Sequence, residues 1–507
     1  MAPTRPSLPR PDAVSLALCL AAALQLLVAL PARAAEAGPA PSTAELAPVP
    51  KPAGGEPLNL MSALARSGLH DVKDESWNAY GQFTYISSWK LPFHAPYTNL
   101  NGSINSLTPD AERSFTATAT LYLGLKLWPG GEAYLAPEII AERAFSQLRG
   151  LGGAIQNFEL QKTGVDTPQL YRSRIYLQQT LELGGAEVQR HSDVLQLGGT
   201  VRGRRLVFTL GNFTILDLFD KNSFTSDTRQ QFFNLSFMTH AAWDFASDAR
   251  GYSWGGAAEL YFDDWAVRLG RISPPQNPNQ LPVSLRFDRY YGDQLEVEHD
   301  HQLFGRDGAV RVLAFRNREV MGRFDEALAV FQADPSKNAA ACTDFNYGSL
   351  NAGAPDLCWV RKPNIKVGIG INLEQHLTED GGVFLRGMIS DGATEVQAYT
   401  STDRSIAFGA QSKGSLWQRP ADVAGVGGSI GWISPAHADY LRQGGVDGFI
   451  GDGNLNQAAE TMFEAFYSFN FLGAFWLSAD YQYIRNPAFN ADRGPVNVLG
   501  LRLHAQY

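Results

Sequence analysis

The stretch "SFTATATLYLGLKLW", Ser114 to Trp128, sorts its residues onto two faces. Phe115, Ala117, Ala119, Leu121, Leu123, Leu125 and Leu127 fall in one phase, and Thr116, Thr118, Thr120, Tyr122, Gly124 and Lys126 in the other. A period of two marks a β-strand with unlike faces. The alternation recurs from Trp77 to the end of the chain, in "WNAYGQFTYISSW", "GEAYLAPEIIAE", "YRSRIYLQQTLEL", "VLQLGGTV", "RRLVFTLGNF", "YSWGGAAELYF", "WAVRLGRI", "GDQLEVEHDHQL", "GAVRVLAFRNR", "IKVGIGINLEQ", "GVFLRGMIS", "RSIAFGAQ", "AGVGGSIGWIS", "MFEAFYSFNF", "AFWLSADYQYI" and "VNVLGLRLHAQY". Many exceed the ~5–6 residues usual in soluble sheets and reach the ~9–11 that cross a bilayer at a tilt. Some are joined tightly, at Pro129 to Gly131, at Asp263 and Asp264, and around Gly473. Others are separated by long loops, at Leu91 to Arg113, Thr214 to Gly251 and Met321 to Asn364. The pattern predicts an all-β fold, a transmembrane antiparallel β-barrel with short periplasmic turns and long extracellular loops. Seventeen candidates and the even strand number of bacterial barrels give 16 strands, with 18 as fallback.

The N-terminus supplies the compartment. Arg5 and Arg10 precede an apolar run from Ala13 to Leu30, and Ala32 and Ala34 then form a small-residue cleavage site. Residues 1–34 therefore read as a cleaved signal peptide, the alternative being an uncleaved anchor helix. Residues 35–76 form a flexible leader in which "LNLMSALARSGLHD", Leu58 to Asp71, has helical spacing at Leu60, Ala63 and Leu64. This helix reads as a loose periplasmic extension, with a plug as the alternative. Residues 77–507 are the barrel domain. Its final strand places Leu499, Leu501, Leu503, Ala505 and Tyr507 in one phase, an ending that would be read by the barrel assembly machinery.

Composition narrows the functions. The chain is 44% hydrophobic with a net charge of -9 and a mean hydropathy of -0.18. Cleavage removes three arginines and one aspartate, taking -9 to -11. An acidic exported protein is a poor partner for nucleic acid. Cys342 and Cys358 are close in sequence and are expected to staple one loop as a disulfide, a metal or redox pair being the alternative. His299 and His301 flank Asp300, but both histidines occupy the apolar phase near a strand end and fit an interfacial belt. No catalytic motif appears, so no enzyme activity and no cofactor or metal is expected.

Several phrases resemble the carbohydrate-selective porin family, the OprB-type outer-membrane porins. They are "GQFTYI" (Gly81 to Ile86), "DARGYSWGGAAELYFDDWAVRLGRI" (Asp248 to Ile272), "RYYGDQLEVEHDH" (Arg289 to His301), "FRNREVMGRFDEAL" (Phe315 to Leu328) and "YQYIRNPAFNADRGPVNVLGLRLHAQY" (Tyr481 to Tyr507). The resemblance spans Trp77 to the C-terminus and implies 16 strands and passive diffusion of sugars across a Gram-negative outer membrane. The Cys342 to Cys358 loop is a departure from the family.

If the apolar phase faces lipid, the other phase lines the pore. It contributes Glu138, Arg172, Arg174, Glu259, Arg268, Glu296, Glu298, Arg386, Glu464 and Asp480, together with Tyr134, Glu142, Arg316, Arg318 and Arg502. In "VRVLAFRNR" the phase is ambiguous, because turning Leu313 and Phe315 to lipid leaves Val312 and Ala314 inward. Mixed signs suit a neutral polar solute, although such charges could also only neutralise one another. The aromatic stretch Thr214 to Gly251 should fold into the mouth, offering Trp243 as a stacking face and Arg229, Asp244 and Arg250 as hydroxyl grips. Packing of its rings on the inner wall is the alternative. The expected partners are sugars and membrane lipid, and the oligomeric state stays open. An anion- or oligosaccharide-preferring or general channel is the first alternative function, and a barrel-borne surface enzyme or receptor the second.

Overall fold

A computed structural model describes residues 59–160, 162–335 and 353–507. The expected signal segment, the leader up to residue 58, and Cys342 lie outside the described residues. Cys358 is disulfide-bonded.

Sixteen antiparallel strands close into a barrel, each pairing with its sequence neighbours and β1 with β16. They are β1 (Trp77–Lys90), β2 (Glu112–Trp128), β3 (Gly131–Arg143), β4 (Gln169–Arg190), β5 (Gly199–Phe213), β6 (Ser253–Phe262), β7 (Trp265–Ile272) and β8 (Tyr291–Leu303). The second half comprises β9 (Arg306–Met321), β10 (Lys362–His376), β11 (Gly381–Ser390), β12 (Arg404–Gly414), β13 (Arg419–Trp432), β14 (Glu460–Phe471), β15 (Phe475–Arg485) and β16 (Val496–Gln506). Closure leaves no unpaired edge, which is what allows strands to cross lipid.

The false candidate is "VLQLGGTV". Asp193 and Gln196 bridge each other across a turn, and only the end of the phrase joins β5, which continues through "RRLVFTLGNF". The turn bends inward, so Leu197 is buried and packs with the inner apolar cluster.

The alternation in β2 is real. Leu121, Leu125 and Leu127 stand 45%, 49% and 41% exposed on the outer face, whereas Thr116 is fully buried inside. Two other phase assignments are overturned. In β4 the register shifts opposite Ala136 and Pro137, so that Arg174 pairs with Ala136 and Arg172 with Pro137. Ser173 is the extra residue of this bulge, opposite a proline that has no N–H to donate to the ladder. Arg174 then points inward, while Arg172 points outward and lies over the exposed Trp254 ring. In β9, Leu313 and Phe315 are buried inside, and Arg316 and Arg318 face outward. The inward charges there are Arg311 and Glu319.

The helix Leu60–Arg66 is capped by Asn59, whose side chain accepts the Ser62 N–H. It is docked, not loose. Met61 is 1% exposed and packs against inward-facing Tyr80, Tyr122 and Ala136 at the short-turn end. Glu75 fastens the segment, accepting from Gly198 N (2.7 Å), Ser192 Oγ (2.6 Å) and Asn78 Nδ2 (3.1 Å).

Candidate functional site

Two loops fold into the lumen and decide what remains open. The first, L2 (residues 144–168), lies on the threonine row of β2. Asn157 Nδ2 donates to Thr116 Oγ1 (2.8 Å), Thr118 Oγ1 donates to Glu159 (2.6 Å), and Gln156 Nε2 donates to Ser114 Oγ (3.0 Å). Thr116 and Thr118 are therefore covered by chain, not water, correcting their reading as pore lining. L2 went unnoticed in the sequence because its short apolar, glycine-rich run carries no periodicity.

The second, L3 (residues 214–252), is the aromatic stretch, and its rings pack on the wall. Phe232 lies 4.5 Å from Phe237, 5.5 Å from Phe384 and 4.9 Å from Phe466, centroid to centroid. Offset and edge-on pairs of this kind add about 0.5–1.5 kcal/mol each beyond area burial. Trp243 is fully buried and donates to Gln294 Oε1 (3.0 Å), so it offers no face to a solute.

Most of the expected lining charges hold these loops or one another. Glu464 accepts the backbone N–H groups of Phe233 (2.6 Å) and Asn234 (3.0 Å). Arg386 pairs with Asp220 (3.1 Å) and donates to the Phe237 carbonyl (2.6 Å). Arg502 donates to the carbonyls of Thr228 and Gln231 and lies 4.0 Å from the Phe233 ring centroid. Asp244 meets Lys366 (2.9 Å) and the N–H groups of Gln397 and Ala398. Asp480 accepts from Gln482 (2.8 Å). Arg268 bridges Glu259, Glu296 and Glu298 at 3.2, 2.9 and 2.7 Å, and Arg311 extends the chain to Glu374. Buried charges persist only when paired in this way. Within L3, burial pushes His240 down to about 4, so it is neutral beside Asp220.

L3 packs against β8 to β16 and touches β7 and β4 through its first turn, and polar groups of β2 to β7 line the rest of the wall. There Arg174 grips Asp217 with two bonds of 2.7 Å. Glu138 accepts from Thr120 Oγ1 (2.6 Å), from the Tyr171 hydroxyl and from Lys162 Nζ (3.1 Å). Arg229 stands 3.6 Å from both Glu138 and Glu159. Burial opposes the Lys162 charge, but Glu138 outweighs it and holds the amine protonated. Burial pushes Glu159 above the usual carboxylate range despite Arg229 and Lys162. Arg205 lies 4.1 Å from the Tyr261 ring centroid. Neither it nor half-buried Lys221 has a carboxylate within 4 Å among the described residues. Lys162, Glu159, Asp217 and Lys221 come from loops, where no period marks them.

Beside these groups opens a cavity of about 1010 Å³, walled by L2, the return of L3 and neighbouring loops. Lys162 and Arg250 line its floor. Arg250 donates to the Lys162 carbonyl (3.0 Å) and lies 4.5 Å from the Tyr171 ring centroid. A wide vestibule therefore opens beside a tyrosine-rich, charge-paired stretch of the inner wall in a closed 16-strand barrel. A family model described as carbohydrate-selective porin, OprB family, matches residues 105–507. The chain belongs to the OprB family.

This porin is a passive outer-membrane channel through which sugars diffuse. Among solved structures, the high-pH structure of Pseudomonas putida OprB is similar with a TM-score of 0.61 at 14% identity, covering 88% of this chain and 96% of that one. That likeness shows the shared barrel fold. The low-pH structure of the same protein gives 0.44 at 12% identity over 88% and 96%. The channel DcaP of Acinetobacter baumannii gives 0.44 at 9% over 85% and 97%. No curated protein matches the chain.

Proposed function

We propose that solute moves along the lane between L3 and the β2 to β7 wall, and that this lane prefers neutral sugars. The observation that carries the reading is charge pairing: Arg174 with Asp217, Lys162 with Glu138, and Arg190 with Glu132. Paired charges of both signs present donors and acceptors to hydroxyls while leaving little field to reward an ion. Tyr122, Tyr171, Tyr176 and Tyr252 add ring faces and edges between the charges. The protein does no covalent chemistry in this reading, and Arg229 and Arg250 act by hydrogen bonding alone.

A second reading, modest anion preference, is favoured by Lys221 and Arg205, which lack close carboxylates. Reconstitution in planar bilayers tests both. Neutral mono- and oligosaccharides are expected to interrupt the ion current in a concentration-dependent way, and Lys221→Gln to reduce anion over cation selectivity by about two- to fivefold, the weight of one partly screened charge. Sugar-insensitive current with free passage of anions would overturn the neutral-sugar reading.

A further inference from the structure

The outer face of the barrel treats its two rims differently. At the short-turn rim the outward arginines are matched by carboxylates: Arg202 with Glu187 (3.1 Å), Arg204 with Asp263 (2.8 Å), Arg306 with Glu379 (3.4 Å) and Arg419 with Asp422 (2.5 Å). At the long-loop rim the outward positions carry Arg113, Arg172, Arg316, Arg318, Arg404 and Arg485, none with a carboxylate within 4 Å among the described residues. Two more arginines stand there, Arg143 paired with Asp166 and Arg271 with Asp293 (2.7 Å). Asp293 is the one carboxylate that the strands themselves present outward in that half.

The depth of these groups can be read from their neighbours. Arg113 lies over Trp89 (5.7 Å), Arg143 over Phe115 (5.7 Å) and Arg172 over Trp254 (5.2 Å). Arg271 and Arg316 share Tyr291 at 4.4 and 5.7 Å. Outward aromatic rings mark the level of the headgroups. Guanidiniums stacked on them therefore sit where lipid phosphates sit, and an arginine facing hydrocarbon without an anion is costly. The planar fork of Arg matches phosphate oxygens in pairs.

We propose that this girdle is a binding surface for phosphate-bearing lipid of the outer leaflet, with its densest part at Arg271, Arg316 and Arg318 on β7 and β9. The phosphates complete the ion pairs that carboxylates complete at the opposite rim. The surface is separate from the lumen, so its failure leaves the channel reading intact.

The test uses the full-length porin in phosphatidylcholine nanodiscs containing bisphosphorylated lipid A, or the same lipid dephosphorylated. Retention of lipid on the isolated protein is read by native mass spectrometry. The wild-type protein is expected to retain the phosphorylated form selectively. Arg172→Gln, Arg316→Gln and Arg318→Gln should each weaken retention by about fivefold, and Arg316→Lys should restore part of it. Single-channel conductance should stay unchanged, which also shows that the variants fold. Equal retention of the two lipid forms, or unaltered retention by the Gln variants, would overturn the proposal. So would a change of oligomeric state with no change in lipid retention, since the girdle would then be a contact between copies of the chain.

Discussion

Gly427 shows how one residue lets a loop lie against the wall. A Cβ placed there would come within 2.9 Å of the Phe237 ring, so only a bare backbone lets L3 lie flat against β13. Gly427→Leu is expected to cost about 1–3 kcal/mol by overpacking and to lift L3, which single-channel conductance and thermal unfolding would register together. An unchanged conductance would mean that L3 is held elsewhere.

His437 does comparable work among the outer loops. Its Nδ1 is 3.1 Å from Asp403, its Nε2 makes a 3.3 Å ion pair with Asp447, and its ring stacks on Phe324 at 4.1 Å. Burial would lower its pKa, but Asp403 and Asp447 raise it to about 9. A raised histidine stabilises the folded loops fully below its unfolded pKa near 6.5, and that stability, about 3 kcal/mol, is lost as pH rises through 9. Limited proteolysis of the outer loops should therefore accelerate as pH rises from about 7 to about 9. His437→Gln should show the fast pattern already at pH 7, and a pH-independent rate in the wild type would contradict the linkage.

At the scale of elements, the sixteen strands were legible because lipid on one side and polar chain on the other impose a strict period of two. Misreadings arose where that period breaks. At Pro137 a bulge reverses the phase of Arg172. In β9 both phases contain apolar residues, because Leu313 and Phe315 serve the inner apolar cluster, not lipid. The docked helix Leu60–Arg66 belongs to the same lesson. Its apolar face was visible, but the wall it meets, Tyr80 and Tyr122, is assembled only by closure of the barrel. Deleting residues 59–76 from the mature protein is expected to raise single-channel conductance by widening the short-turn end. An unaltered conductance would place the segment beside the path, not in it.

At the scale of the whole molecule, the barrel supplies a wall and the loops L2 and L3 pack against its inner face. Glu464, Arg386 and Arg502 spend their hydrogen bonds fixing L3. Glu138, Arg174 and Arg229 pair with one another's loop partners instead, Lys162, Asp217 and Glu159 among them, and Arg250 lines the vestibule. The sequence alone determined the strand count to within one, the export context, the family resemblance and the outward leucine row of β2, because these depend on local periodicity and short motifs. Only the tertiary structure decided which inward charges meet loop backbone. That choice depends on contacts between positions far apart in the chain, such as Glu464 with Phe233 and Thr118 with Glu159. No periodic pattern encodes where an aperiodic loop comes to rest.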